Sequence, residues 1–170
     1  MMSSKYALAI LSSALLTSLG RNPASAEGSI HVTVTYVLVV VEAGPTPRVE
    51  RIPASRTFTL IPGLGVSVEL SSEVNAPQSV FLNRGKWTEL TAPNGLKYRA
   101  KSTVANGAFV VQSEYWNFGT TIRIRTDQRT SCEASIEYKL RSGDSYVMEG
   151  NFGKALASDV HAENVTCEIH

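Results

Sequence analysis

An all-β domain, folded as a sandwich of two antiparallel sheets, is the fold class this sequence predicts, with an open β-barrel as the alternative. Three observations lead there. Apolar and polar residues alternate by twos along most of the chain, and no run of ten residues carries a convincing apolar stripe at helical spacing. Short alternating runs are separated by turn signals such as Asn106-Gly107, Pro93-Asn94-Gly95 and Ser142-Gly143-Asp144. The two cysteines, Cys132 and Cys167, each sit inside such a run.

Residues 1–26 stand apart from this pattern. One early cation, Lys5, precedes an apolar stretch over residues 7–19, and Ala24-Ser25-Ala26 comes just before Glu27. That order is the order of a secretory signal peptide cleaved after Ala26. Its apolar part, 13 residues, falls short of the ~20 that span a bilayer. Residues 27–170 then form the expected single sandwich domain, secreted or periplasmic, with no transmembrane segment. Without Lys5 and Arg21, 14 Lys plus Arg face 15 Asp plus Glu. A net charge near −1 gives no general attraction for nucleic acid or anionic lipid.

The first strand is expected from residue 29 to residue 42. Ile30, Val32, Val34, Tyr36, Leu38 and Val40 share one face, while from Val37 to Val41 both faces are apolar, which requires cover on both sides. An alternating strand directly after the cleavage site is similar to the donor strands of chaperone–usher pilins, which complete a neighbour's sheet. An exposed VLVVV edge invites aggregation, so a central place in its own domain is the expectation here. Residues 43–53, AGPTPRVERIP, hold three prolines and read as a connection. Val66, Val68 and Leu70 repeat the alternation, and Gly63-Leu64-Gly65 is a turn after Pro62.

Asn106-Gly107 selects a two-residue type I′ hairpin, because both turn positions need positive φ. Counting outward pairs Ala105 with Ala108, Val104 with Phe109, Arg99 with Glu114 and Tyr98 with Tyr115. Apolar then meets apolar, and cation meets anion. Asp127-Gln128-Arg129 links TTIRIRT to the Cys132 strand, in which Cys132, Ala134, Ile136, Tyr138 and Leu140 face inward. Residues 154–163 read either as a short helix or as a strand. Val165, Cys167 and Ile169 again share a face, so a Cys132–Cys167 disulfide joins two inward-facing positions in an oxidising compartment. Closing that loop contributes about 4 kcal/mol in the chain-entropy model.

Catalytic constellations are scarce. His31, His161 and His170 show no metal-ligand spacing, and no nucleophile elbow, P-loop or dinucleotide fingerprint occurs, so neither metal nor cofactor is expected. A pocket gathering two or more of His31, Asp159, His161 and Glu163 would favour an enzyme. Glu133 and Glu137 share one strand face, as a glycosidase pair would, but Arg123 and Arg125 on the preceding strand explain them as a surface charge ladder. Lys97, Arg99 and Lys101 form a cationic row with Glu114 as a cross-strand partner.

The run Tyr115-Trp116-Asn117-Phe118 is the most function-like feature. The hairpin register turns Tyr115 inward and leaves Trp116 on the cationic face, where an exposed ring stacks on a sugar or anchors a protein. The competing structural role folds Trp116 and Phe118 over the sandwich end, with Trp87 joining them. Candidate binding residues are therefore Trp116, Phe118, Lys97, Arg99 and Lys101. Asn164-Val165-Thr166 is a formal glycosylation sequon.

Ser142-Gly143-Asp144-Ser145-Tyr146 resembles the Ser-Gly-x-x-Tyr loop of secreted bacterial c-type lysozyme inhibitors over five residues. The resemblance implies an inhibitor in which Ser142 and Tyr146 enter an enzyme's active site. Cys132 precedes this loop by only ten positions, without the strands that family places between them. The leading expectation is an exported, non-catalytic binding module or envelope or extracellular structural module, its ligand a protein or a carbohydrate and not a nucleic acid. A secreted hydrolase with a site assembled from distant residues, and a secreted protein inhibitor, are the alternatives.

Overall fold

The computed structural model describes residues 28–70, 78–91, 95, 97–116, 118–127, 130–140, 145–147 and 155–170. Residues 1–26, expected to be a signal peptide, and Ser142-Gly143-Asp144 lie outside the described residues. Four strands run as a meander, β1 (Ile30–Glu42), β2 (Val49–Ile61), β3 (Gly65–Leu70) and β4 (Gln78–Asn83). Five more follow in a second meander, β5 (Thr88–Thr91), β6 (Lys97–Ala105), β7 (Ala108–Glu114), β8 (Phe118–Thr126) and β9 (Cys132–Leu140). The chain then returns to the first sheet through β10 (Ser145–Val147) and β11 (Ala155–Ile169). The sheet orders are β10-β11-β1-β2-β3-β4 and β5-β6-β7-β8-β9, and they do not close into a barrel.

Inward side chains of both sheets fill the space between them. Val32, Val34, Phe58 and Leu60 from the first sheet meet Val111, Ile122 and Ile124 from the second in one buried cluster. β1 is central, antiparallel to β2 on one side and to β11 on the other. Its doubly apolar half is flanked accordingly: Val39, 1% exposed, lies in the ladder between Arg51 on β2 and His161 on β11. The segment with two readings, residues 154–163, is strand from Ala155 onward, because pairing with β1 satisfies its backbone. A register shift between Thr35 and Val37 forms an irregularity opposite Asn164, whose φ of 52° is a conformation asparagine tolerates better than most residues.

The proline-rich connection ends sooner than the sequence suggests. β2 starts at Val49 and runs through Pro53, which pairs with Val37. β3 covers β2 only from Phe58 to Ile61. Beside Pro53 that flank of β2 has no ladder to break, so the missing N–H is tolerated.

The two flanks of the sandwich are closed in matching ways. On one, edge strand β9 meets β11, and Cys132 and Cys167 form the disulfide with Cα atoms 5.6 Å apart. On the other, edge strand β4 approaches β6: Arg84 bridges to Ser102, and the N–H of Gly85 donates to the Ser102 carbonyl at 2.7 Å. The edge strands β9 and β4 thus each pack on the second strand of the opposite sheet, which shields backbone that would otherwise recruit another chain.

Candidate binding surface

The β6–β7 hairpin has the register that its turn dictates. Asn106 and Gly107 take φ of 51° and 74°, and Ala105, Val104 and Arg99 pair with Ala108, Phe109 and Glu114. Just beyond the last ladder pair, the rings of Tyr98 and Tyr115 stack with centroids 4.8 Å apart. Alternation then turns Lys97, Arg99 and Lys101 outward and Tyr98, Ala100 and Ser102 inward.

The aromatic run divides. Tyr115 stacks on Phe118 at 4.3 Å, and its N–H donates to the Phe118 carbonyl at 2.9 Å, closing the turn. Phe118 is 2% exposed and belongs to the core, so its expected place on the contact surface is corrected: the turn that presents Trp116 folds Phe118 back under Tyr115. Trp116 remains 68% exposed.

The aromatic partner of the cationic row is Trp87, from the segment preceding β5. Thr88 pairs with Ala100, so the residue before it reaches over the outer side of β6. The Arg99 guanidinium carbon lies 4.6 Å and the Lys101 Nζ 4.5 Å from the Trp87 ring centroid. Such cation–π contacts contribute about 0.5–1 kcal/mol at exposed sites. Arg99 is also held by Glu114, through Nε at 2.9 Å and Nη2 at 2.6 Å. Among the described residues, neither Lys97 nor Lys101 is in an ion pair. The sequence signal for Trp87 was present only as a lone indole before an alternating run.

Glu133 and Glu137 each stand against an arginine of β8, as the charge-ladder reading expects. Glu137 accepts from Arg123 Nη1 at 3.1 Å, and Glu133 stands opposite Arg125 in the ladder. The outer face of β8 and β9 thus carries paired charges of both signs.

On the outer face of the first sheet, strand alternation brings Asp159, His161 and Glu163 together. His161 Nδ1 lies 2.7 Å from Asp159 Oδ2, and its Nε2 lies 3.4 Å from Glu163 Oε1. Arg51 Nε donates to Glu163 at 3.4 Å. The imidazole pKa is raised, first by the hydrogen bond to Asp159 and further by Glu163, against a smaller desolvation effect. A carboxylate beside each nitrogen favours the charged form of the ring and engages both nitrogens. His31 lies elsewhere, 3.1 Å from Thr59 Oγ1, and His170 lies 2.9 Å from Thr33 Oγ1. A shallow, open depression beside the disulfide, lined by Thr130, Ser131 and the terminal residues 167–170, holds His170 and Glu168 but none of the Asp159 group.

Among the described residues no set of three His, Cys, Asp or Glu side chains is arranged to hold a metal ion. Among the described residues no helix is long and apolar enough to cross a membrane. Ser145 and Tyr146, of the loop that resembles lysozyme inhibitors, pair with Ala157 and Leu156 inside β10. No family model, curated protein or solved structure matches this chain.

Proposed function

We propose that this chain is an exported, non-catalytic β-sandwich that works by binding, and that its contact surface is the outer face of the β5–β9 sheet. The observation that carries the reading is Trp87 fixed among Arg99 and Lys101 on this outward face. The indole and the Glu114 carboxylate hold two long cationic side chains in place, which lowers the conformational entropy lost when a ligand is gripped. Trp116 stands exposed in the turn joining β7 to β8, close to this face. The occupied nitrogens of His161 give a hydrolase reading little support.

The test applies the labelled, exported protein to an array of neutral and acidic oligosaccharides and, in parallel, to defined extracellular proteins. Saturable binding that is lost in Lys101→Met but kept in Arg51→Ala locates the contact surface on this face. Binding indifferent to Lys101→Met and lost in Arg51→Ala moves it to the opposite sheet and overturns the proposal.

A further inference from the structure

We infer that the ligand of this face is an acidic polysaccharide, a chain of sugars bearing carboxylates; the inference rests on the β5–β9 sheet being the contact surface. Its ground is the row that crosses the sheet at Lys101. Lys101 pairs with Gln112 on β7, and Gln112 pairs with Thr121 on β8, while Trp87 stands on the other side of Lys101. An indole, a fixed ammonium, an amide and a hydroxyl therefore follow one another over three inter-strand steps, about 14 Å.

Each member suits one part of an acidic sugar chain. The exposed part of Trp87, about a third of the residue at 36%, offers a π-surface to the C–H face of a pyranose. Lys101 is held at 4.5 Å from that ring and in no ion pair among the described residues, so it offers a positioned cation to a carboxylate. Gln112 and Thr121 both donate and accept, as sugar hydroxyls do. Lys97, two outward positions before Lys101, adds a second cation about 13 Å from it along β6.

Other polymers fit this face less well. Nucleic acid carries a phosphate at every nucleotide and is bound by dense positive charge, whereas here Glu114 and Glu137 border the row. A protein partner needs an apolar, fully desolvated centre, and the middle of this row is an amide and a hydroxyl. A sugar chain with widely spaced carboxylates matches single cations set apart by neutral polar groups, and leaves room for the glutamates at the border of the row.

The experiment is affinity electrophoresis of the exported protein in gels containing polygalacturonate, fully methyl-esterified pectin, polyglutamate or single-stranded DNA. Polygalacturonate is expected to retard the protein more than any of the other three, and less as salt rises. Lys101→Met keeps the alkyl stem on Trp87 while removing the charge, and is expected to weaken retardation about tenfold, the scale of one charge-assisted contact. Arg51→Ala, on the other sheet, is expected to leave it unchanged. Equal retardation by polyglutamate or DNA, equal retardation by the esterified pectin, or indifference to Lys101→Met overturns the inference. Binding to a defined protein that is lost in Lys101→Met, with no retardation by polygalacturonate, overturns the sugar ligand while leaving the contact surface in place.

Discussion

Ser102 Oγ on β6 donates a 2.7 Å hydrogen bond to the carbonyl of Leu82 on β4, joining the two sheets through a side chain that is almost wholly buried. Leu82 also pairs with Val66 in its own sheet, so this contact satisfies a polar group at the seam between the two layers. Replacing Ser102 with alanine is expected to destabilise the domain by about 1–3 kcal/mol, the cost of an unsatisfied buried acceptor. Urea unfolding measures it, and an unchanged midpoint would show that the β4–β6 flank closes without this bond.

The opposite flank depends on the disulfide, which spans 35 residues of sequence. Cys132→Ser and Cys167→Ser are expected to destabilise equally, each by up to about 4 kcal/mol, since each removes the same constraint on the unfolded chain. Reduction of the native protein should reproduce the same loss. Two clearly different melting temperatures for the single variants would contradict a purely structural bond.

Trp116 and Phe118 lie two residues apart with opposite burial, so they separate binding from packing. Phe118→Ala is expected to cost about 3–5 kcal/mol, because it empties a core position and removes the ring against Tyr115. Trp116→Ala should change stability by no more than about 0.5 kcal/mol. A large drop in melting temperature for Trp116→Ala would assign that ring to packing.

His161 gives a pH dependence with a definite sign. Its folded pKa is raised above the ordinary value of about 6.5, so its contribution to stability is complete below that value. The contribution declines as pH rises through the higher folded value. The charged groups facing it are Asp159 and Glu163 on its own strand and Arg51 on β2, across β1. In NMR titration the imidazole midpoint should lie above 6.5 and fall more in Asp159→Asn than in Glu163→Gln, because the Asp159 bond is the larger cause. An ordinary midpoint in the wild type would remove the imidazolium from the account.

The relationships that the sequence determined by itself are local ones. Asn106-Gly107 demanded positive φ at two successive residues, and that demand set every pair from Ala105–Ala108 to Arg99–Glu114. Alternation by twos told the inward face of β1 from its outward face, and the same parity placed both cysteines toward the core, where one pairing was available. These follow from backbone stereochemistry within a few residues, so no long-range information was needed. Tertiary structure alone decided the rest. Residues 154–163 fit helix and strand alike until β1 supplied a partner, and Pro53 stays within a strand only because β3 stops short of it. The hairpin register alone points to Trp116 as the ring on the face of Lys97, Arg99 and Lys101, yet the ring that meets Arg99 and Lys101 is Trp87, delivered by a strand pairing outside that hairpin. Which strands lie side by side is set by burial summed over both sheets, and that sum cannot be read from any one segment.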